Sequence, residues 1–96
     1  MNKYEVMVLV RPDLPEEARK TLFSHLAELI VKNEGVVSSS GVWSDRKKLY
    51  FPIKKFSEAV YYLIGFNMPP QGIVKLKQIY TLNENILRFL ITRLEA

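Results

Sequence analysis

The chain predicts an α+β, ferredoxin-like fold: β-α-β-β-α-β, a four-stranded antiparallel sheet with two helices on one face. Three observations predict it. Apolar residues alternate with a period of two in the first and third strand segments, and recur with the helical period in the two segments that separate strands. Right-handed crossovers then put the first and third strands in the middle of the sheet and the second and fourth at its edges. Pro52, which has no amide hydrogen to give to a ladder, falls in the second strand, where an edge position suits it.

The first strand is "KYEVMVLVRP", in which Tyr4, Val6, Val8 and Val10 make one wholly apolar face. The first helix lies within "PDLPEEARKTLFSHLAELIVKNEG". Pro15 suits its first turn, Glu16 and Glu17 suit its positive end, and Ala18, Leu22, Leu26, Leu29 and Ile30 form its apolar stripe. Gly35 is the expected stop. The second strand, "VVSSSGVWSDRKKLYFPI", is long and irregular, with Gly41 and the Ser44-Asp45 pair as bulge sites. "KKFSE" is read as the turn, "AVYYLIGFNM" as the third strand, and "PPQGIVKLKQIYTL" as a helix with Ile73, Leu76, Ile79 and Tyr80 inside. "NILRFLITRL" is the last strand.

Ninety-six residues make one domain, 1–96. There is no cysteine, which excludes disulfides and thiolate chemistry. The N-terminal apolar run is broken at Arg11 and Pro12, too soon for a signal sequence or a membrane span, so a cytoplasmic location is expected. The net charge of +4, from 14 basic and 10 acidic residues, favours a polyanionic partner.

Two helices cover one face of such a sheet. With Tyr4, Val6, Val8 and Val10 and with Val60, Tyr62, Ile64 and Phe66 turned towards the helices, Met7, Leu9, Tyr61 and Leu63 make an apolar patch on the open face. Such patches mark interaction sites. Arg88 joins that face if Leu87, Phe89 and Ile91 point inward.

The segment "SDRKKLYFPIKKF" carries five basic residues in ten positions, Arg46, Lys47, Lys48, Lys54 and Lys55, with no acid among them. Lys and Arg make the phosphate contacts that position a protein on nucleic acid. Leu49 to Ile53 between them reads as a buried strand that anchors the cations, and its edge location leaves backbone groups for a partner chain. The plainer reading is that edge lysines prevent sheets from pairing, which accounts for two or three cations better than for five. Lys3, Arg88 and Arg93 are further candidates for RNA contact. Trp43 is expected to plug the rim of the core, with stacking on a base or an Arg as the alternative.

The chain resembles the bacterial small-subunit ribosomal protein S6 family over nearly its whole length. The resemblance rests on "YEVMVLVRPDL", on "NEGVV" after the first helix, and on Trp43 followed by a basic pair, Leu49 and Pro52-Ile53-Lys54. It closes with "LNENILRFLITRL". Two departures stand out. Ser44-Asp45 fills the place of the family's Gly after the Trp, adding one residue. The family's Leu-Ala-Tyr-Pro-Ile is Leu49-Tyr50-Phe51-Pro52-Ile53 here. The resemblance implies a structural role: binding the central domain of small-subunit ribosomal RNA as a heterodimer with ribosomal protein S18, in a cytoplasmic or organellar ribosome. Tyr50 joins Met7, Leu9, Tyr61 and Leu63 as the candidate surface for the partner protein.

Other activities of this fold fit less well. The loop "RPDLPEE", with two prolines and three acids, is a poor phosphate cradle for an acylphosphatase. His25 is the lone histidine and has no evident carboxylate partner, so neither a triad nor a metal cluster is expected, and no cofactor is implied. An RNA-recognition motif needs aromatics on the open face of both central strands, where Met7 and Leu9 stand instead. A small protein-interaction or ligand-sensing domain remains as the rival reading, because fold alone does not separate these.

Overall fold

In a computed structural model, which describes residues 2–94 apart from the side chains of Asp45 and Arg46, six elements follow the expected order. They are β1 Asn2–Val10, α1 Glu16–Lys32, β2 Val36–Ile53, β3 Phe56–Met68, α2 Pro70–Thr81 and β4 Ile86–Leu94. The sheet order is β2-β3-β1-β4, and each neighbouring pair is antiparallel. The middle strands are therefore β1 and β3, as right-handed crossovers require.

The core lies between the sheet and the helices. Tyr4, Val6, Val8 and Val10 of β1 and Val60, Tyr62, Ile64, Phe66 and Met68 of β3 are buried there. They meet Leu22, Phe23, Leu26 and Ile30 of α1 and Leu76 and Tyr80 of α2. Each fully buried aliphatic of this kind contributes about 1.5–3 kcal/mol relative to exposure. Phe23 and Tyr62 stack with their ring centroids 3.8 Å apart, which ties α1 to the centre of the sheet. The Tyr80 hydroxyl donates to the Leu26 carbonyl at 2.9 Å, joining the helices, and burial raises the pKa of that phenol.

The helix α1 corrects the expected stripe at its start. Ala18 is exposed, and Phe23, absent from the expected stripe, is buried in the core. The helix stop is also different in kind. Glu34, not Gly35, takes the left-handed conformation, at φ 70°. Gly35 is required for space: a Cβ there would lie 2.5 Å from Ile30 Cγ2 and 2.7 Å from the Ile30 carbonyl oxygen. Its amide donates to that same carbonyl at 2.8 Å.

The turn between β2 and β3 is shorter than "KKFSE". Lys54 and Lys55 alone form it, at φ 49° and 73°, and Phe56, Ser57 and Glu58 belong to β3. Positive φ at both central residues is the type I′ pattern, which matches the twist of a hairpin but usually selects Asn-Gly. Each residue with a Cβ held there costs about 1–2 kcal/mol.

The reading of Leu49 to Ile53 as a buried strand is overturned. Lys48 pairs with Glu58 and Ile53 with Phe56, so four residues of β2 stand opposite Ser57 alone. The surplus backbone bows outward as a bulge, as edge strands commonly do. Tyr50 and Phe51 are 101% and 81% exposed, and Pro52 is exposed as well, while Leu49 and Ile53 are half-buried. Shifts at Val42/Ser44 and Ser44/Lys47 place a bulge at Ser44-Asp45 as expected, whereas Gly41 pairs in register with Leu63.

Candidate nucleic-acid interface

Strand alternation builds the open face. Directly opposite residues of an antiparallel pair share a face. Met7 lies between Leu63 of β3 and Leu90 of β4, and Leu9 between Tyr61 and Arg88. Two rows thus cross the three strands, Leu63-Met7-Leu90 and Tyr61-Leu9-Arg88. Met7, Leu9, Tyr61 and Leu63 are half-buried with no layer above them, and Leu90 is 66% exposed. Arg88 is exposed on the open face, while Phe89 and Ile91 pack against the core. A register shift between Leu9 and Val10 accompanies the burial of both Ile86 and Leu87.

The bowed part of β2, residues 47–53, forms an arm at one end of this face. Between the arm and the row Tyr61-Leu9-Arg88 is a groove of about 440 Å³. Lys47 and Lys48 line it on the arm side with Leu49, Tyr50, Phe51, Pro52 and Ile53, and Arg88 lines it from β4. Cations and exposed aromatics therefore border one concave surface. That combination suits a polyanion whose bases or sugars reach the apolar wall.

The expectation that Trp43 plugs the core rim does not hold. Trp43 is 54% exposed and sits on the open side, its ring centroid 5.7 Å from that of Tyr61. The Lys47 ammonium lies 4.7 Å from the Trp43 ring and 5.3 Å from the Tyr61 ring. An exposed cation–π contact contributes about 0.5–1 kcal/mol, enough to bias where Lys47 rests. The register shifts at Val42/Ser44 and Ser44/Lys47 cancel, so Trp43 and Lys47, four residues apart, share a side as they would in a regular strand.

The hairpin end is tied to β4 and to the loop that follows β1. The Lys54 ammonium donates to the Ile86 carbonyl at 3.3 Å. The Arg11 guanidinium lies 5.2 Å from the Phe56 ring and forms two hydrogen bonds to Asp13, at 3.1 and 2.9 Å. Those hydrogen bonds, aided by opposite charge, hold the Asp13 carboxyl below its ordinary range and raise the Arg11 pKa.

The remaining candidates are dispersed. Lys55 is exposed at the hairpin tip. Lys3 is on the open face but six residues along β1 from Leu9, about 20 Å at strand rise. Arg93 pairs with Tyr4, so it lies on the helix side of the sheet, with its guanidinium 3.5 Å from Asn2 Oδ1. The Arg46 side chain lies outside the described residues. His25 is exposed on α1, and among the described residues no three of His, Cys, Asp and Glu gather as metal ligands. Among the described residues, no helix is long and apolar enough to cross a membrane.

Sequence reasoning missed Phe51 and Leu90. Hydropathy assigns Phe51 to an interior, and only the register against β3 reveals otherwise. Leu90 was legible, since it alternates in step with Arg88.

Comparison with known proteins places these features in one family. A family model described as "Ribosomal protein S6" matches residues 3–93. The chain is 40% identical over 93 residues to "Small ribosomal subunit protein bS6" of Caldanaerobacter subterraneus subsp. tengcongensis, covering 97% of each chain. It is 38% identical over 95 residues to the protein of the same name in Dictyoglomus turgidum, covering 99% of this chain and 97% of that one. The crystal structure of 30S ribosomal protein S6 from Thermotoga maritima superposes with a TM-score of 0.90 at 28% identity, over 97% of this chain and 87% of that one.

Proposed function

The chain belongs to the ribosomal protein S6 family, structural proteins of the small ribosomal subunit and not enzymes, and from that premise we propose how its surface serves the subunit. The basic arm and the Arg88 end of the groove bind the central domain of small-subunit ribosomal RNA. The apolar rows of the open face, with Tyr50, receive ribosomal protein S18. The arrangement that carries this reading is the groove, in which Lys47, Lys48 and Arg88 border a wall of Leu9, Tyr61 and the exposed arm.

Unpaired cations support the RNA half. Among the described side chains, Lys48, Lys55 and Arg88 make no ion pair or hydrogen bond within the protein, so they are available to phosphates. Uncovered apolar surface supports the protein half. Leu90, Tyr50 and Phe51 leave apolar surface in water that a folded chain ordinarily covers. Salt acts on the first half and far less on the second.

The test is binding to a central-domain ribosomal RNA fragment, with and without S18, across a salt series. Tight binding that needs S18 and weakens as salt rises is the expected result. Equal affinity with and without S18, or affinity indifferent to salt, would overturn it.

A further inference from the structure

The five cations of the basic segment are not equivalent. We propose that Lys54 is a positioning residue: its ammonium holds the arm against β4 and does not contact phosphate. The inference rests on the RNA-binding reading for its consequence, while the tie itself belongs to the free protein.

Three observations point the same way. Lys54 and Lys55 both occupy left-handed backbone, a conformation that a side chain with a Cβ enters only when its surroundings fix it. The fixing contact is present, because Lys54 Nζ donates to the carbonyl of Ile86, 32 positions along the chain. The β2–β3 hairpin is not adjacent to β4 in the sheet, so this bond spans the gap at the end of β1. Finally, the arm has four residues where its partner strand has one, and the sheet ladder does not hold that surplus. A bond at the arm's far end, with Lys47 held over Trp43 at its near end, supplies the missing restraint.

The division has a measurable consequence. Releasing counterions makes log affinity fall with log salt, in proportion to the phosphate contacts made. A cation that touches phosphate changes that slope when neutralised. A cation that only shapes the arm lowers affinity at every salt concentration and leaves the slope alone.

The experiment compares Lys54→Asn, Lys54→Arg and Lys55→Asn in the full chain. Asn tolerates left-handed backbone, so neither Asn variant strains the turn. In the free protein, Lys54→Asn is expected to make amide exchange at the paired residues that bracket the arm, Lys47, Lys48, Ile53 and Phe56, several-fold faster, with Lys54→Arg close to the parent and Lys55→Asn unchanged. With S18 and the RNA fragment, Lys54→Asn should weaken binding at unchanged slope. Lys55→Asn should make the slope shallower by about 0.7–0.9 if it touches one phosphate. Unchanged exchange in Lys54→Asn, or a slope change like that expected of Lys55→Asn, overturns the proposal. If the parent protein binds no RNA, the functional reading fails by itself, and the exchange comparison still decides the tie.

Discussion

Lys47 rests over the ring of Trp43, with its ammonium 4.7 Å from the ring centroid, on the side of the sheet that no helix covers. Trp43 is the sole tryptophan of the chain, so its fluorescence reports on this corner without labelling. Lys47→Met should cost about 0.5–1 kcal/mol in urea unfolding. It should also alter Trp43 emission in the folded state. An unchanged spectrum and unchanged stability would show that the contact is not kept in solution.

Tyr50 and Phe51 project from the arm into water, so truncating them removes no packing. Tyr50→Ala and Phe51→Ala should each change stability by less than about 0.5 kcal/mol. The loss should appear in assembly, with binding in the S18–RNA mixture weakened by about 1–2 kcal/mol for an anchoring aromatic. Calorimetric melting and a binding titration check the two halves separately.

At the end of α1, two neighbouring residues should respond in opposite senses. Gly35→Ala drives a methyl group into Ile30 and should destabilise by about 1–3 kcal/mol, as overpacking does. Glu34→Gly relieves left-handed strain and should stabilise by up to about 1 kcal/mol, after the extra chain entropy of glycine. Chemical denaturation of both variants measures this, and a loss of stability in Glu34→Gly would contradict the conformational argument.

Tyr80 links stability to alkaline pH. Its folded pKa is raised by burial above the ordinary value near 10, so the native state holds the phenolic proton more tightly than the unfolded chain. Its contribution is therefore complete below about pH 10 and is lost as pH rises above that. Tyr80→Phe should cost about 1 kcal/mol at neutral pH through the lost bond to Leu26. It should also flatten the alkaline decline, seen as melting temperature against pH from 8 to 11.

The parts of the fold that follow from local pattern were legible. β1, and β3 from Val60 onward, alternate with a strict period, and their inward and outward residues lie where that period places them. The arm was not legible, because "LYFPI" has the composition of a buried strand and nothing within it counts residues on the opposite strand. Trp43 was misplaced for a related reason: the face it takes follows from the register of β2 against β3, which pairing sets and local composition does not show. At Gly35, glycine suggested a left-handed helix stop, but the need was clearance from Ile30, a contact with no local sequence signature. The candidate cations were recognised as a cluster, but composition could not separate Lys54, bonded to Ile86, from Lys55 beside it.

Of the two middle strands, β1 comes before β3 in the chain. β1 lies between β3 and β4, and Lys3 pairs with Leu94. A chain emerging during synthesis can form α1 and the β2–β3 hairpin early, since those contacts are local. The edge of β1 that meets β4 stays open until β4 itself has emerged. For that interval the nascent protein presents a hydrophobic strand edge, β1 with its run of valines, that the finished molecule hides. The same order makes synthesis of β4 the condition for closing the sheet.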